Sequence, residues 1–433
     1  MIPDLEKPSI NTAVVKIASR CNINCRYCYM YNKGDDSFLE QPKIMDRDTV
    51  IAIMKKVKVH CFIHSTFSFH FIFHGGEPML AGLDFVVFFI EQAKKLLSPE
   101  ITPTFSFQTN GTLIDDDWCD LLARYRVGIG VSLDGTREVN DKERIDHKGR
   151  GTYDSVVRGI ETVRQNERCK AQGISPGILS VIDVGSDPMV VYENFKSLKL
   201  RSISFLFPDN HYESLPKGYG TESMGEPKKT PYADWLLQIF QSWFYDTSPE
   251  KPGINIFRQI MDILLGNDYT YDYFGRGTIN LVVIETNGDI EPADSLKICG
   301  NGFTKTGLNI LRNTLDDVFQ SDMIALYVFS KKLLAKKCLI CPVNDICGGG
   351  FLPHRYSKIN GFNNPSVYCA DLVKLITGMQ NIIMSEIPVD ILDTYEVQKL
   401  TFEDAMDILE AESELDAEPE YALMLNPYIG NIQ

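Results

Sequence analysis

Along the first half of the chain, short runs of β-branched and aromatic residues alternate with longer segments of helical period. The run "TAVVKIAS" (12–19) is followed by "RDTVIAIMKKV" (47–57), where Val50, Ile53, Met54 and Val57 share one helical face and Asp46 stands at the N-cap. The alternation continues through "FHFIF" (69–73), "LDFVVFFIEQAKKLL" (83–97), "TFSFQTNG" (104–111), "DDWCDLLARY" (116–125) and "VGIGVSLDG" (127–135). It ends with "YDSVVRGIETVRQN" (153–166), "GILSVID" (177–183), "VVYENFKSL" (190–198) and "SISFLF" (202–207). Six strand–helix alternations predict an α/β fold of parallel strands with crossover helices, closed as a partial or full barrel.

Polar segments follow the predicted strands: "SRC", "HGGEP", "QTNG", "SLDG" and "PDN". Parallel α/β folds build their sites at these C-terminal strand ends. Residues 209–230, rich in Gly and Pro, read as a long loop, and a helical stretch spans about 231–265. "INLVVIETNGDIEPADSL" reads as a hairpin turning at Asn287 and Gly288. The last fifty or so residues read as acidic helices, with Thr401 and Asp404 as a capping box and Phe402, Met406 and Leu409 at helical spacing. The expected division is 1–230, 231–375 and an acidic helical segment 376–433.

The most apolar runs, 61–73 and 85–90, are too short to span a bilayer and read as core elements. The first ten residues lack a secretory signal, which places the protein in the cytoplasm, and no leader-binding domain is expected before residue 12. A formal net charge of -15 argues against bulk attraction to nucleic acid or anionic membrane. Most of it is local: from Glu386 onward, thirteen acidic residues face Lys399 alone. Such a run is a solvated face or a docking surface for a basic peptide. Eleven cysteines in a reducing compartment point to metal ligation or catalysis rather than crosslinks.

Cys21, Cys25 and Cys28 lie together after the first strand. A cubane iron–sulfur cluster needs four ligands, so three thiolates leave one iron open for a substrate or cosubstrate. The loop, with Tyr27 before Cys28, strongly resembles the signature of the radical S-adenosylmethionine (SAM) enzymes. "HGGEP" (74–78) resembles that family's glycine-rich motif, with Gly75, Gly76 and Glu77 beside the methionine moiety of SAM. "QTNG" and "SLDG" stand where the family contributes further SAM contacts, which implies roles for Asn110 and Ser132. Arg144 resembles a carboxylate or ribose contact. His74 reads as a buried, hydrogen-bonded histidine, and Cys61, Cys119 and Cys169 as structural thiols.

A second set, Cys338, Cys341, Cys347 and Cys369, resembles the SPASM extension of radical SAM peptide maturases, where these positions ligate an auxiliary 4Fe-4S cluster. Zinc is the second choice for four thiolates. Phe351 and Ala293 stand where a complete SPASM domain has further cysteines, so a second auxiliary cluster is not expected, nor is Cys299 expected to be a ligand. Asp294 matches a substrate-facing acid of some SPASM maturases, and is a candidate proton acceptor or a turn-capping residue.

The stretches "VKIASRCNINCRYCYMYNKGDDS", "ADSLK", "CGGGFLPHRY" and "GFNNPSVYC" resemble FxsB-type radical SAM/SPASM proteins, over about residues 12–375. The implied fold is a partial (β/α)6 radical SAM barrel followed by a small SPASM-like auxiliary-cluster domain and an acidic helical tail. The implied activity is a cyclophane-type carbon–carbon crosslink in a ribosomally made precursor peptide. It would use SAM, two 4Fe-4S clusters and a flavodoxin- or ferredoxin-type electron donor. Thioether or formylglycine formation is the alternative within this chemistry, and a noncatalytic iron–sulfur scaffold is the alternative outside it.

Overall fold

The computed structural model describes residues 8–219, 229–394, 398–411, 419 and 421–425. They fall into two compact units, one built from the segments up to Val181, Leu200–Leu206 and Asn280–Val328, the other from Ile182–Lys199, Phe207–Ile279 and the segment from Phe329 onward.

The first unit is organised by six parallel strands: β1 (Thr12–Ala18), β2 (Ser68–Gly75), β3 (Thr102–Thr109), β4 (Gly128–Ser132), β5 (Gly177–Val181) and β6 (Ser202–Leu206). They neighbour one another in chain order, as successive crossovers require. Helices α1 (Arg47–Ile63), α2 (Leu83–Leu97), α3 (Asp116–Tyr125), α4 (Arg137–Glu143) and α5 (Tyr153–Gln165) lie in the connections. This is the partial barrel expected from the residues. Asp46 caps α1 by accepting from the Thr49 amide. The strands pack through alternate residues: Phe71 and Phe73 of β2 meet Phe89 of α2 edge-on, leaving His70, Ile72 and His74 on the opposite face.

The hairpin adds to this sheet. Its first strand, Leu281–Ile284, pairs in parallel with β1, and Ile290–Glu291 returns antiparallel through a turn in which Gly288 has a φ of +86°. A 3-10 turn, Asp294–Cys299, follows and is anchored by Lys297. Its buried ammonium lies 3.1 Å from Glu291, 3.3 Å from Glu285 and 3.7 Å from Asp35. Burial opposes that charge, but the surrounding carboxylates win and raise the Lys297 pKa.

One expectation fails locally. Residues 61–73 are not a single core element: α1 runs on to Ile63, and Phe62, Ile63 and Phe67 are exposed. The apolar composition there spans a helix end, a turn and the start of β2.

In the second unit, helix Cys369–Ser385 packs against helix Pro231–Tyr245 and helix Phe402–Ala411. Thr401 caps the last of these by accepting from the Asp404 amide, and Met406 and Leu409 are buried, as the apolar spacing predicted. Tyr421 donates to the Leu334 carbonyl at 3.0 Å and Leu425 is buried. Residues 220–228 of the expected long loop, and 426–433 of the apolar end, lie outside the described residues. No described helix is long and apolar enough to cross a membrane.

Candidate active site

The loop after β1 carries Cys21, Cys25 and Cys28 within electrostatic reach of one another. It is tightly turned, since the Cys28 and Asn32 amides donate back to the Cys25 and Cys28 carbonyls at 3.1 and 2.8 Å. Burial pushes the thiols up, Cys21 to about 12 and Cys28 to about 11. Backbone amides nevertheless point at the sulfurs, from Ile23 to Cys21 and from Met30 and Tyr31 to Cys28. Buried thiols met by amide donors suit an iron–sulfur cluster: the metal draws off the protons, and the amides stabilise the resulting thiolates.

The glycine motif ends β2 against this loop. A Cβ on Gly75 would lie 1.9 Å from the Ala18 carbonyl oxygen, at a φ of +143°, and one on Gly76 would lie 1.9 Å from the Tyr31 hydroxyl. Glycine is required here for the close approach of β2 to the cysteine loop. Glu77 is fully buried and accepts from the Met79 and Asn110 amides and from the Thr109 hydroxyl, at 3.0, 2.8 and 2.8 Å. It therefore ties the end of β2 to the end of β3 as a positioning residue. Asn110 in turn donates to the Asn22 side chain at 2.8 Å and lies 3.7 Å from Cys21 Sγ.

Ser132, at the end of β4, accepts from Gln108 at 3.0 Å. Arg144 is buried and donates to the Tyr27 hydroxyl at 2.8 Å, while that hydroxyl donates to Asp134 at 2.5 Å. Burial opposes the Arg144 charge, but Tyr27, Cys25 and Asp134 hold it firmly cationic. Its Nε has no partner among the described residues, so the guanidinium keeps one donor in hand.

Asp294 reaches the same end of the sheet from the hairpin exit. Its Oδ2 lies 2.6 Å from Lys16 Nζ, 3.0 Å from the Tyr29 hydroxyl and 3.7 Å from His74 Nδ1. Burial alone would raise the carboxyl, but the Lys16 ammonium, with the Tyr29 hydroxyl, holds it well below the usual carboxylate range. Lys16 and Tyr29 join the site without being among the residues expected there. Lys16 did leave a signal, a lone charge inside the apolar run "AVVKIA". His74 differs from expectation, because its buried Nδ1 has no hydrogen-bond partner among the described residues.

In the second unit, Cys338, Cys341, Cys347 and Cys369 line one cavity with Leu372, Val373 and Leu409. Amides of Val343, and of Gly349 and Gly350, point at Cys341 and Cys347. Gly348, Gly349 and Gly350 all have positive φ, which lets the chain fold back over Cys347. Four thiols with amide donors in an apolar wall suit a fully ligated cluster. Phe351 stacks on Tyr273 at 4.8 Å and is packed as an aromatic core residue. In the first unit, Cys61, Cys119 and Cys169 are buried, as expected of structural thiols.

His60, His64 and Asp316 form a further cluster of potential ligands. The Ile10 amide donates to His60 Nε2 at 3.0 Å, so the neutral ring keeps its proton on Nδ1 and gives it to Asp316 at 3.1 Å. That nitrogen has no lone pair for a metal.

Residues 15–178 match the radical SAM superfamily. The chain is 26% identical over 373 residues to the cysteine-type anaerobic sulfatase-maturating enzyme of Clostridium novyi, covering 83% of this chain and 92% of that protein. It is 26% identical over 347 residues to the serine-type enzyme of Klebsiella aerogenes, covering 78% of each. The solved structure of anSMEcpe with bound AdoMet superposes with a TM-score of 0.71 at 26% identity, covering 87% of this chain and 98% of that one. The same protein with AdoMet and the Kp18Cys peptide gives 0.70 at 25% identity, covering 86% and 98%. Enzymes of the superfamily use a 4Fe-4S cluster and SAM, and the cysteine sets described above fit such clusters. Residues 15–178 thus carry a radical SAM domain, and the chain is an enzyme homologous over most of its length to the anaerobic sulfatase-maturating enzymes.

Proposed function

We propose that this enzyme oxidises a cysteine or serine side chain of a peptide substrate to formylglycine. Homology to both types of sulfatase-maturating enzyme supports this, as does the relative solved with AdoMet and a peptide. One observation carries it. Asp294 is held beside the three-cysteine loop as a carboxylate whose Oδ2 is taken by Lys16 and Tyr29, while Oδ1 makes no hydrogen bond among the described residues. Such an oxygen can receive the thiol or hydroxyl of a substrate.

In this reading Cys21, Cys25 and Cys28 hold a 4Fe-4S cluster through three of its irons, and Gly75, Gly76, Asn110, Ser132 and Arg144 border the bound SAM. Cys338, Cys341, Cys347 and Cys369 hold an auxiliary 4Fe-4S cluster in a SPASM-like arrangement. When bound, the first cluster and SAM would supply radical chemistry able to remove a hydrogen atom from the substrate β-carbon. The chain orients the substrate and stations a carboxylate next to its heteroatom. Tyr27 and Glu77 keep Arg144 and Asn110 in place. A flavodoxin- or ferredoxin-type donor and residence in the cytoplasm, without nucleic acid or membrane partners, belong to the same proposal.

The test is anaerobic turnover of synthetic cysteine-type and serine-type sulfatase peptides with reconstituted enzyme. A product that is captured by a hydrazide carries the aldehyde expected here. A product lighter by two hydrogens and inert to hydrazide would overturn the reading in favour of a cyclophane-type crosslink.

A further inference from the structure

The four-cysteine cavity is backed by two buried cations, Lys331 and Arg355, with 1% and 0% of their surface exposed. Arg355, at the end of the 3-10 turn Leu352–Arg355, donates from Nη1 to the Ser330 carbonyl at 2.9 Å and from Nη2 to the Leu333 and Phe362 carbonyls at 2.7 and 3.1 Å. Ser330 and Leu333 lie on either side of Lys331 in the chain, and Lys331 Nζ donates to the Gly350 carbonyl at 2.8 Å. Gly350 belongs to the glycine run that folds back over Cys347, its amide donating to the Cys347 carbonyl at 3.1 Å. A Cβ on Gly348 would lie 3.1 Å from Lys331 Cδ, and one on Gly349, which lines the cavity, 3.6 Å from Arg355 Nη1. Both cations therefore stand behind the wall that carries Cys347.

What these cations lack is an anion. Among the described residues, every hydrogen bond they make goes to a neutral carbonyl, neither pairs with a carboxylate, and Arg355 Nε has no partner at all. A buried cation so placed is costly unless charge of opposite sign stands near it. Burial works against both, pulling the Lys331 pKa down to about 7, and the sulfurs lead the opposition: Cys347, ahead of Asp272, for Lys331, and Cys338 for Arg355. We propose that Lys331 and Arg355 are positioning residues that supply the buried counter-charge of the auxiliary cluster on Cys338, Cys341, Cys347 and Cys369 and hold its reduction potential high. This goes beyond the formylglycine reading and rests only on the assignment of an iron–sulfur cluster to these four cysteines.

The physical basis is electrostatic. Four thiolates leave a cubane cluster net negative, and reduction adds a further electron in a cavity walled by Leu372, Val373 and Leu409. Such a wall gives little screening, so a fixed cation nearby favours the reduced form. Arg355 is cationic at any working pH, and its three carbonyl contacts keep it from swinging toward solvent. Lys337 also lines the cavity but is only half-buried, so water and salt screen its charge, and it serves as the control. Lys331 and Arg355 also tie the segment around Ser330 and Leu333 to the glycine run and to Phe362, so the test must separate charge from scaffolding.

The experiment uses reconstituted full-length enzyme with Cys21, Cys25 and Cys28 replaced by Ala, so that only the auxiliary cluster signals. Iron and zinc are quantified, and the midpoint potential is followed by EPR in an anaerobic redox titration. Lys331→Met and Arg355→Gln should each make reduction about tenfold less favourable, a fall of about 59 mV for one electron. Lys331→Arg keeps the charge and Lys337→Met removes only a screened one, so both should hold the reduction equilibrium within about threefold of the parent. Where Arg355→Gln fails to assemble its cluster, the contrast between Lys331→Met and Lys331→Arg decides. Lys331→Met with full iron and an unmoved potential overturns the counter-charge, and so does an equal fall in Lys331→Arg, which would mark a structural effect. Zinc in place of iron in the parent overturns the cluster assignment along with it. No peptide is turned over, so the result stands apart from whether the product is formylglycine.

Discussion

Lys16 Nζ, on β1, and Asp294 Oδ2, at the start of the 3-10 turn that leaves the hairpin, meet at 2.6 Å, with the lysine side chain fully buried. A buried ammonium is costly without a partner, and so is the carboxylate left behind when it is removed. Lys16→Met should therefore destabilise the protein by about 3–5 kcal/mol, and adding Asp294→Asn to it should recover much of the loss. Urea unfolding of the two single variants and the double variant checks this. Additive losses would mean that the two groups do not act as a pair.

The glycine pair makes a sharper contrast. Gly76→Ala would drive a methyl group into the Tyr31 hydroxyl and the Arg20 backbone, where no rotamer relieves the clash with the main chain. That variant should lose the ordered cysteine loop and the iron reconstituted on it. Gly82 has positive φ but nothing within 4 Å, so Gly82→Ala should cost about 1 kcal/mol and keep its iron. Iron content after anaerobic reconstitution separates the two.

Glu77 accepts three hydrogen bonds inside the chain. Glu77→Gln keeps the shape but sets an amide donor against backbone donors, which should cost about 2–3 kcal/mol. Because Asn110 beside Cys21 hangs from this carboxylate, SAM binding should weaken as well. Equilibrium dialysis of SAM against the variant tests the second effect, and unchanged affinity would confine Glu77 to stability.

The pH dependence of folding has a defined sign at His74. Its pKa falls from 6.5 to about 4 on folding, so between those values the unfolded chain binds more protons than the native one. The contribution is complete above about pH 6.5 and is lost as the pH falls toward 4. His74→Gln should make unfolding free energy less dependent on pH in that window, by about one proton. Denaturant titrations at several pH values measure the slope, and an unaltered slope would show that His74 is not buried as a neutral ring.

Much of this was legible in the residues because strands buried on both faces read as apolar runs, and helix 83–97 carries a clear period. The cysteine spacing and the glycine motif were equally plain. What stayed hidden depends on contacts far apart in the chain. Lys16 reads as an odd charge until the hairpin strand pairs with β1 and delivers Asp294 beside it. Leu409 reads as one residue of an apolar stripe until its helix packs into the wall of the four-cysteine cavity. Residues 61–73 misled because apolar composition without a period cannot mark where a helix ends.

That wall makes the C-terminal helix testable. Leu409→Glu should put a charge in the cavity wall and let a chelator strip iron from the four-cysteine site several-fold faster, with iron on Cys21, Cys25 and Cys28 unaffected. Chelator release followed in the variant and wild type checks it, and equal rates would leave the helix with no shielding role.

The central claim is that a radical generated beside Cys21, Cys25 and Cys28 removes hydrogen from the β-carbon of a substrate cysteine or serine. It is tested most directly with a synthetic sulfatase peptide deuterated at that β-carbon, by measuring deuterium in the 5'-deoxyadenosine released. The expected result is one deuterium in 5'-deoxyadenosine, formed together with an aldehyde in the peptide. Unlabelled 5'-deoxyadenosine accompanying a modified peptide would contradict it.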